Sequence, residues 1–228
     1  MLTDNKKYES SIDIELLRAS LRKDETIIEV EDFGAGSGII KSNKRVVKAI
    51  AKSSLKPKKY AQLLFRMVKY YQPENVLELG TSLGVTTAYL ASGNAAAKIY
   101  TCEGSKNIAV IANSNFKHLG LQNVTLLQGA FEKTLPSLLD SVKKIDFVFI
   151  DGNHRKVPTL QYFEQLLVIA NGKSIFVFDD IHWSEEMEAA WIIIKDHPAV
   201  TVSIDLFFIG IIYLNPDVKV KQHFKIAY

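Results

Sequence analysis

One fifteen-residue stretch, Asn75-Val-Leu-Glu-Leu-Gly-Thr-Ser-Leu-Gly-Val-Thr-Thr-Ala-Tyr89, constrains the fold of this chain more than any other. A short apolar run ends in Glu78 and Gly80, and Gly84 then opens a helix-forming segment. The order is strand, tight turn, helix N-terminus. Gly80 and Gly84 carry no side chain, so a ligand can approach bare backbone there. The helix start beyond them offers unpaired N–H groups to an anion. A second strand-like run, Lys98-Ile-Tyr-Thr-Cys-Glu103, follows and ends in another acid. That acid stands where a carboxylate accepts both hydroxyls of a ribose. Together these features predict a nucleoside-containing ligand on a doubly wound sheet.

A dinucleotide site prefers G-x-G-x-x-G, and Gly80-Thr-Ser-Leu-Gly84 does not fit that spacing. The form E-x-G-x-x-x-G from Glu78, followed by the hydroxyl of Thr86, resembles motif I of the class I S-adenosylmethionine-dependent methyltransferases. It is closer to the catechol-type O-methyltransferases than to the majority pattern of that class. The resemblance covers roughly residues 60 to 215. It implies that Glu78, Gly80, Thr81, Ser82 and Gly84 form the cofactor loop, with Gly80 to Ser82 along the methionine part. It also implies that Thr86 holds the cofactor carboxylate and Glu103 its ribose. Gly129, Ala130 and Phe131 match the adenine-contacting segment. Glu132 beside them is equally readable as an acid complementing the helix macrodipole.

A competing glycine run, Glu31-Asp-Phe-Gly-Ala-Gly-Ser-Gly38, also follows an apolar segment. A ribose acid should come soon after such a loop, yet no Asp or Glu occurs from Phe33 to Pro73. Val46, Val47 and Ile50 suggest a short helix there in place of a second strand. Gly34–Gly38 is therefore read as a loop, with a lid over the site as its functional alternative.

Strand-like and helix-like segments alternate from residue 75 onward. Near-continuous apolar strands such as Phe147-Val-Phe-Ile150 and Ile175-Phe-Val-Phe178 fit a parallel sheet covered on both faces. Strands are expected at 75–80, 98–103, 123–128, 145–151 and 174–179. Thr201-Val-Ser-Ile-Asp205 and Phe207-Phe-Ile-Gly-Ile-Ile-Tyr-Leu214 leave no room for a helix between them and suggest an antiparallel hairpin. The predicted fold is an α/β, Rossmann-like, seven-stranded, mostly parallel sheet. Residues 1–72 form an N-terminal helical extension or lid, with helices at 43–54 and 58–71. Residues 73–228 form the cofactor-binding unit. Helices are also expected at 84–92, 105–118, 132–141, 158–170 and 185–196, the last capped by Ser184.

Ligands in open α/β sheets bind outside the carboxyl ends of the strands. The fourth strand ends in Ile150-Asp-Gly-Asn-His154 and the fifth in Phe178-Asp-Asp-Ile-His-Trp183. Carboxylates brought together this way repel one another, and a hard divalent cation relieves the repulsion. The catechol-type resemblance implies a metal held by Asp151, Asp179 and Asp180. Animal catechol enzymes have an amide at the third position, so Mn²⁺ or Ca²⁺ suits this set as readily as Mg²⁺. Those enzymes place a lysine as general base three residues after the first metal acid; here His154 stands there. An imidazole titrates near neutrality and can take a hydroxyl proton. His182 is a second candidate base or nitrogen ligand, so Fe²⁺ and Zn²⁺ stay open. The catalytic set is thus His154, Asp151 and His182, with Asp151 also beside the cofactor. The structural alternative is that the histidines cap loops and the aspartates bind backbone N–H groups.

The implied activity is S-adenosylmethionine-dependent methylation of a small-molecule hydroxyl, assisted by a divalent metal. Two alternatives stand beside it: an RNA or other macromolecule methyltransferase, and a cofactor-binding scaffold without turnover. The first of these draws on residues 33–73, which hold ten basic side chains, from Lys41 to Lys69, and no acid. The commoner meaning of such a block is the solvated face of helices. The chain of 228 residues, 47% apolar, suits one α/β domain with helical additions. There is no 18-residue apolar stretch and no signal peptide, and Cys102 is the single cysteine, so a soluble, cytoplasmic protein is expected. The resemblance adds a homodimer as an expected assembly, although no interface is marked in the sequence.

Overall fold

The computed structural model describes residues 10–31 and 43–228. The Gly34–Gly38 loop and Lys41 lie outside the described residues. The N-terminal part holds α1 (Ser10–Leu21), β1 (Ile27–Glu29), β2 (Lys44–Val46), α2 (Val47–Ser54) and α3 (Lys58–Tyr71). The alternating part begins with β3 (Asn75–Leu79), α4 (Val85–Gly93), β4 (Lys98–Glu103), α5 (Lys106–His118) and β5 (Val124–Gln128). It continues through α6 (Phe131–Ser141), β6 (Ile145–Ile150), α7 (Lys156–Leu167), β7 (Ala170–Asp179) and α8 (Glu185–Asp196). The chain finishes with β8 (Val202–Asp205), β9 (Ile209–Tyr213) and β10 (Gln222–Lys225).

The main sheet runs β10-β8-β9-β7-β6-β3-β4-β5. Strands β3 to β7 pair in parallel, and β9 runs antiparallel to both β7 and β8. The doubly wound sheet with its C-terminal hairpin is thus as the sequence pattern predicts. An eighth strand, β10, adds in parallel to β8 at the edge. All four of its residues are exposed, so no alternation marks it in the sequence. Two other segments differ from expectation. Residues 44–46 pair antiparallel with 27–29 as a separate ribbon, where a helix from residue 43 was anticipated. Helix α7 stops at Leu167 and β7 starts at Ala170, earlier than the apolar run suggests.

Strand alternation divides the core in two. Leu77, Leu79, Val148, Ile150, Phe176 and Phe178 face a layer that includes Leu138, Tyr162, Phe163, Trp191 and Ile194 of α6, α7 and α8. Val76, Ile99, Phe147, Phe149, Ile175 and Val177 face Leu63, Leu64, Met67 and Val68 of α3 and Leu90 of α4. A third cluster joins Ile14 and Leu17 of α1 and Val47 and Ile50 of α2 to Val85, Ala88 and Tyr89 of α4. Both faces of the sheet are therefore covered, as near-continuous apolar strands require.

Local chemistry sets the helix ends. Helix α3 stops at Gln72, a left-handed residue whose N–H bonds to the Val68 carbonyl, with Pro73 next. Ser184 caps α8 by accepting the Met187 N–H at 3.2 Å, as the sequence suggests. No helix among the described residues is long and apolar enough to cross a membrane.

Candidate active site

The turn between β3 and α4 is fixed by backbone alone. The Gly80 and Thr81 N–H groups both donate to the Cys102 carbonyl, at 3.0 and 3.1 Å, and Gly84 N–H donates to the Thr81 carbonyl. Gly80 has φ +107° and Gly84 φ +80°, conformations that side chains other than glycine's disfavour. A Cβ at Gly80 would lie 2.0 Å from the Asp151 carbonyl oxygen. The close crossing of this turn with the end of β6 thus demands glycine. At the end of β4, the Glu103 carboxylate accepts the Ser82 N–H at 2.8 Å and the Ser105 N–H at 2.9 Å. Ser82 also bonds through its hydroxyl to Ser54 of α2 at 2.7 Å.

These elements frame a cleft of about 410 Å³ over the carboxyl ends of β3, β4, β6 and β7. One half is walled by Gly80, Thr81, Ser82, Thr86, Glu103, Ala130 and Phe131. The other half holds Lys56, Asp151, His154, Asp179, Asp180 and Trp183. The structure therefore brings most of the sequence-predicted site residues into one cavity. Glu78, Gly84, Gly129 and His182 do not line it.

Glu78 lies fully buried beneath the turn and accepts hydrogen bonds from the Thr101 hydroxyl at 2.6 Å and from the Thr87 hydroxyl. Its position corrects the expectation of direct cofactor contact. Burial, opposed by the two threonine bonds, pushes its carboxyl up to about 8 from an ordinary 4.5. A raised carboxyl favours the protonated native state, so its contribution is full below pH 4.5 and is lost as pH rises towards 8. Between pH 5 and 8 the loss is on the order of 4 kcal/mol, or roughly 10 °C in melting temperature. Glu78→Gln should remove that slope. Melting curves of wild type and variant that stay parallel across this pH range would contradict the assignment.

His182 is also corrected. Its Nε2 sits 2.8 Å from Asp205 Oδ2 and its Nδ1 3.0 Å from Glu188 Oε1, and its ring stacks on Phe207. Both ring nitrogens tie the segment after β7 to α8 and to the β8–β9 hairpin. It is not a base in the cleft.

The acidic strand ends do meet. Ligand atoms of Asp151, His154 and Asp179 lie within 4.8 Å of one another, the single such group among the described residues. His154 enters this group in place of the expected Asp180, whose Oδ2 is 4.0 Å from His154 Nδ1. His154 Nε2 is 3.6 Å from Asp151 Oδ1. Asn153 and His154 both adopt positive φ, +69° and +37°, which aims the loop after β6 into the cleft. Asn153 is held by a chain of bonds: its amide donates to Tyr162 OH, Tyr162 OH donates to Glu132, and Arg155 donates to Asn153 Oδ1.

The sequence reading missed Lys56. Its ammonium bonds to Asp179 Oδ2 and lies 3.6 Å from Asp151 Oδ2. Burial lowers its basicity, but the charges of Asp151 and Asp179 outweigh that and hold it above the ordinary lysine range. Burial raises the Asp151 carboxyl, yet Lys56 draws it below the usual range. Asp179 goes up, because burial and the neighbouring Asp151 exceed the pull of Lys56. One ammonium against two carboxylates leaves Asp179 as the member that resists ionising. Asp151, His154 and Asp179 are a donor set suited to a divalent cation. Lys56, however, already stands on both carboxylates, so with it in place the residues do not fit a metal. Lys56 hides in the sequence as one of ten basic residues between 33 and 73. It and Arg66 are buried, whereas Lys44, Lys48, Lys52, Lys58, Lys59 and Lys69 are exposed. The solvated-face reading therefore fails for these two.

The fold is that of the solved O-methyltransferases it superimposes on. Residues 77–181 match the family described as a methyltransferase domain. Among characterised proteins, the chain is 29% identical over 126 residues to the catechol O-methyltransferase of Niastella koreensis. That stretch is 54% of this chain and 55% of the relative, so the match spans about half the length of each. Among solved structures, the fold is similar to an O-methyltransferase from Bacillus cereus in complex with S-adenosylhomocysteine. The TM-score is 0.64 at 18% identity, over 92% of this chain and 93% of that one. It is also similar to the O-methyltransferase TomG from Streptomyces achromogenes in complex with S-adenosylmethionine. There the TM-score is 0.63 at 20% identity, over 71% of this chain and 82% of that one. At these identities the structural likenesses speak to the fold.

Proposed function

We propose that this chain transfers the methyl group of S-adenosylmethionine to a hydroxyl of a small molecule. One observation carries the reading. A backbone-walled half-cleft bearing Glu103 opens directly onto a second half bearing Asp151, His154 and Lys56. The first half suits a nucleoside: Glu103 is fixed by two backbone N–H groups, and Phe131 supplies an aromatic face. Thr86, in the first turn of α4, lies where the cofactor carboxylate can meet a helix N-terminus. The second half suits a hydroxyl that must lose a proton.

When bound, S-adenosylmethionine supplies an electrophilic methyl group on its sulfonium. The protein's task is to hold the acceptor oxygen in line, about 3 Å from the methyl carbon. His154 Nε2 accepts the hydroxyl proton, and the Asp151 carboxylate 3.6 Å away stabilises the imidazolium that forms. Lys56 and the exposed Trp183 border the acceptor position. The Lys56 ammonium stands on the two carboxylates that a metal would need, so the step proceeds without one.

Loss of the two ribose contacts in Glu103→Ala should weaken S-adenosylhomocysteine binding roughly 10- to 100-fold by calorimetry, charged hydrogen bonds being the ones lost. An unchanged affinity would remove Glu103 from the cofactor site. The function itself is tested by incubating the protein with S-adenosylmethionine and hydroxylated acceptors and measuring S-adenosylhomocysteine release.

We read residues 1–72 as an extension that completes the cleft wall through Ile50, Ser54, Leu55 and Lys56. A cytoplasmic location and a homodimer complete the proposal; light scattering of the purified chain checks the dimer. An RNA acceptor draws only on exposed lysines of α2, α3 and their flanks. RNA binding that falls steeply with salt would favour that acceptor.

A further inference from the structure

Building on the acceptor-side reading above, we propose that Lys56 is the built-in cation of the Asp151–Asp179 pair, and that methyl transfer here runs without a divalent metal. The ammonium bonds to Asp179 Oδ2 and stands 3.6 Å from Asp151 Oδ2. These are two of the three side chains whose ligand atoms converge as a metal site would require. Two neighbouring carboxylates repel one another and need a compensating charge. A metal ion and an ammonium are alternative ways of supplying it, and this chain carries the second.

Lys56 is built into the fold. The residue is 8% exposed, and Arg18, itself 5% exposed, donates from Nη1 to the Lys56 carbonyl at 2.8 Å. Pro57 follows and restricts Lys56 to extended backbone. Leu55 before it belongs to the core cluster shared by α1, α2 and α4. The stem of the lysine is thus anchored from both sides, and the ammonium reaches the strand ends from one fixed turn. A cation entering between Asp151 and Asp179 would have to expel it.

The substitution has a consequence for the acceptor. A divalent cation grips two vicinal oxygens and so selects chelating diols. An ammonium donates hydrogen bonds to one oxygen at a time and makes no such demand. Single hydroxyls therefore join vicinal diols as acceptors, with the Lys56 ammonium donating to the oxygen as its proton passes to His154.

The test is a titration of the full chain with Mn²⁺, read by the electron paramagnetic resonance signal of the free ion. Wild type is expected to show no stoichiometric binding up to about 1 mM. Lys56→Met, which keeps the length and loses the charge, should take up one ion per chain at least about tenfold more tightly. The double variant with Asp179→Asn should lose that ion again. Lys56→Arg keeps a cation and should behave as wild type. Stoichiometric Mn²⁺ binding by wild type that Asp151→Asn abolishes overturns the proposal, even if Lys56→Met fails to fold. A folded Lys56→Met that gains no ion overturns it too. Turnover in EDTA should stay within about twofold of that in Mg²⁺, and a larger loss overturns the metal-free step. Calorimetry with S-adenosylhomocysteine runs in parallel. Its failure would sink the methyltransferase function, while the Mn²⁺ result would still decide which cation the pair holds.

Discussion

Gly80→Ala is expected to be the most damaging small substitution in this chain. The new methyl would meet the Asp151 carbonyl oxygen at 2.0 Å, and the residue would be trapped at φ +107°. Neither problem is relieved by a flexible side chain, because the obstacle is the backbone at the end of β6. The strained backbone alone costs on the order of 1–3 kcal/mol, and pushing two strand ends apart adds a similar amount. A drop of roughly 10 °C in melting temperature is expected for a domain of this size. The same displacement separates the two halves of the cleft, so cofactor binding should disappear as well. The contrast is Gly120→Ala. Gly120 also has positive φ, but nothing lies within 4 Å of its added Cβ, so only the conformational part should be seen. A Gly80→Ala protein with a wild-type melting temperature and S-adenosylhomocysteine affinity would refute this account of the turn.

His154→Ala should lower kcat by a factor of about 10² to 10⁴, the usual contribution of a positioned general base. The side chain is placed by a strained turn and faces two carboxylates, at 3.6 Å to Asp151 and 4.0 Å to Asp180. Among the described residues its ring makes no hydrogen bond to backbone, so the melting temperature should move little. S-adenosylhomocysteine affinity should stay within about twofold, because the donor half of the cleft is untouched. A rate loss matched by an equal loss of cofactor affinity would reassign His154 to positioning. His182→Ala provides the counterpart. Its two carboxylate partners are structural, so it should destabilise the β8–β9 hairpin more than it slows catalysis.

The turn at Gly80–Gly84 was legible because its chemistry is local. Positive φ, a bare backbone and a following helix are all written within a few residues. The place of Glu103 at the end of β4 was legible because strand length fixes where the next strand ends. The Ser184 cap and the stop at Pro73 follow from the same short-range rules. Asp151 and Asp179 could be paired from sequence because adjacent parallel strands end side by side. The eighth strand escaped notice because an exposed edge strand needs no apolar alternation. Residues 44–46 looked helical for a related reason: a three-residue ribbon is too short to show a period.

Lys56, His182 and Glu78 mark where sequence stops being informative. Lys56 and Asp179 are 123 residues apart, and the sequence around Lys56 does not say that its ammonium meets an acid. Its role exists only because α1 and the α2–α3 turn deliver it to the strand ends. His182 looked catalytic by proximity to Asp179, yet Asp205 and Glu188 claim both its nitrogens from other elements. Glu78 belongs to the strand that leads into the glycine turn, but strand alternation turns its side chain beneath the turn towards Thr87 and Thr101. The sequence by itself determined the sheet, the glycine turn and the acid that ends β4, because spacing and backbone sterics act over short range. Tertiary structure decided which cation faces the acidic pair and which histidine enters the cleft, because charge pairing depends on distances that only the folded chain sets.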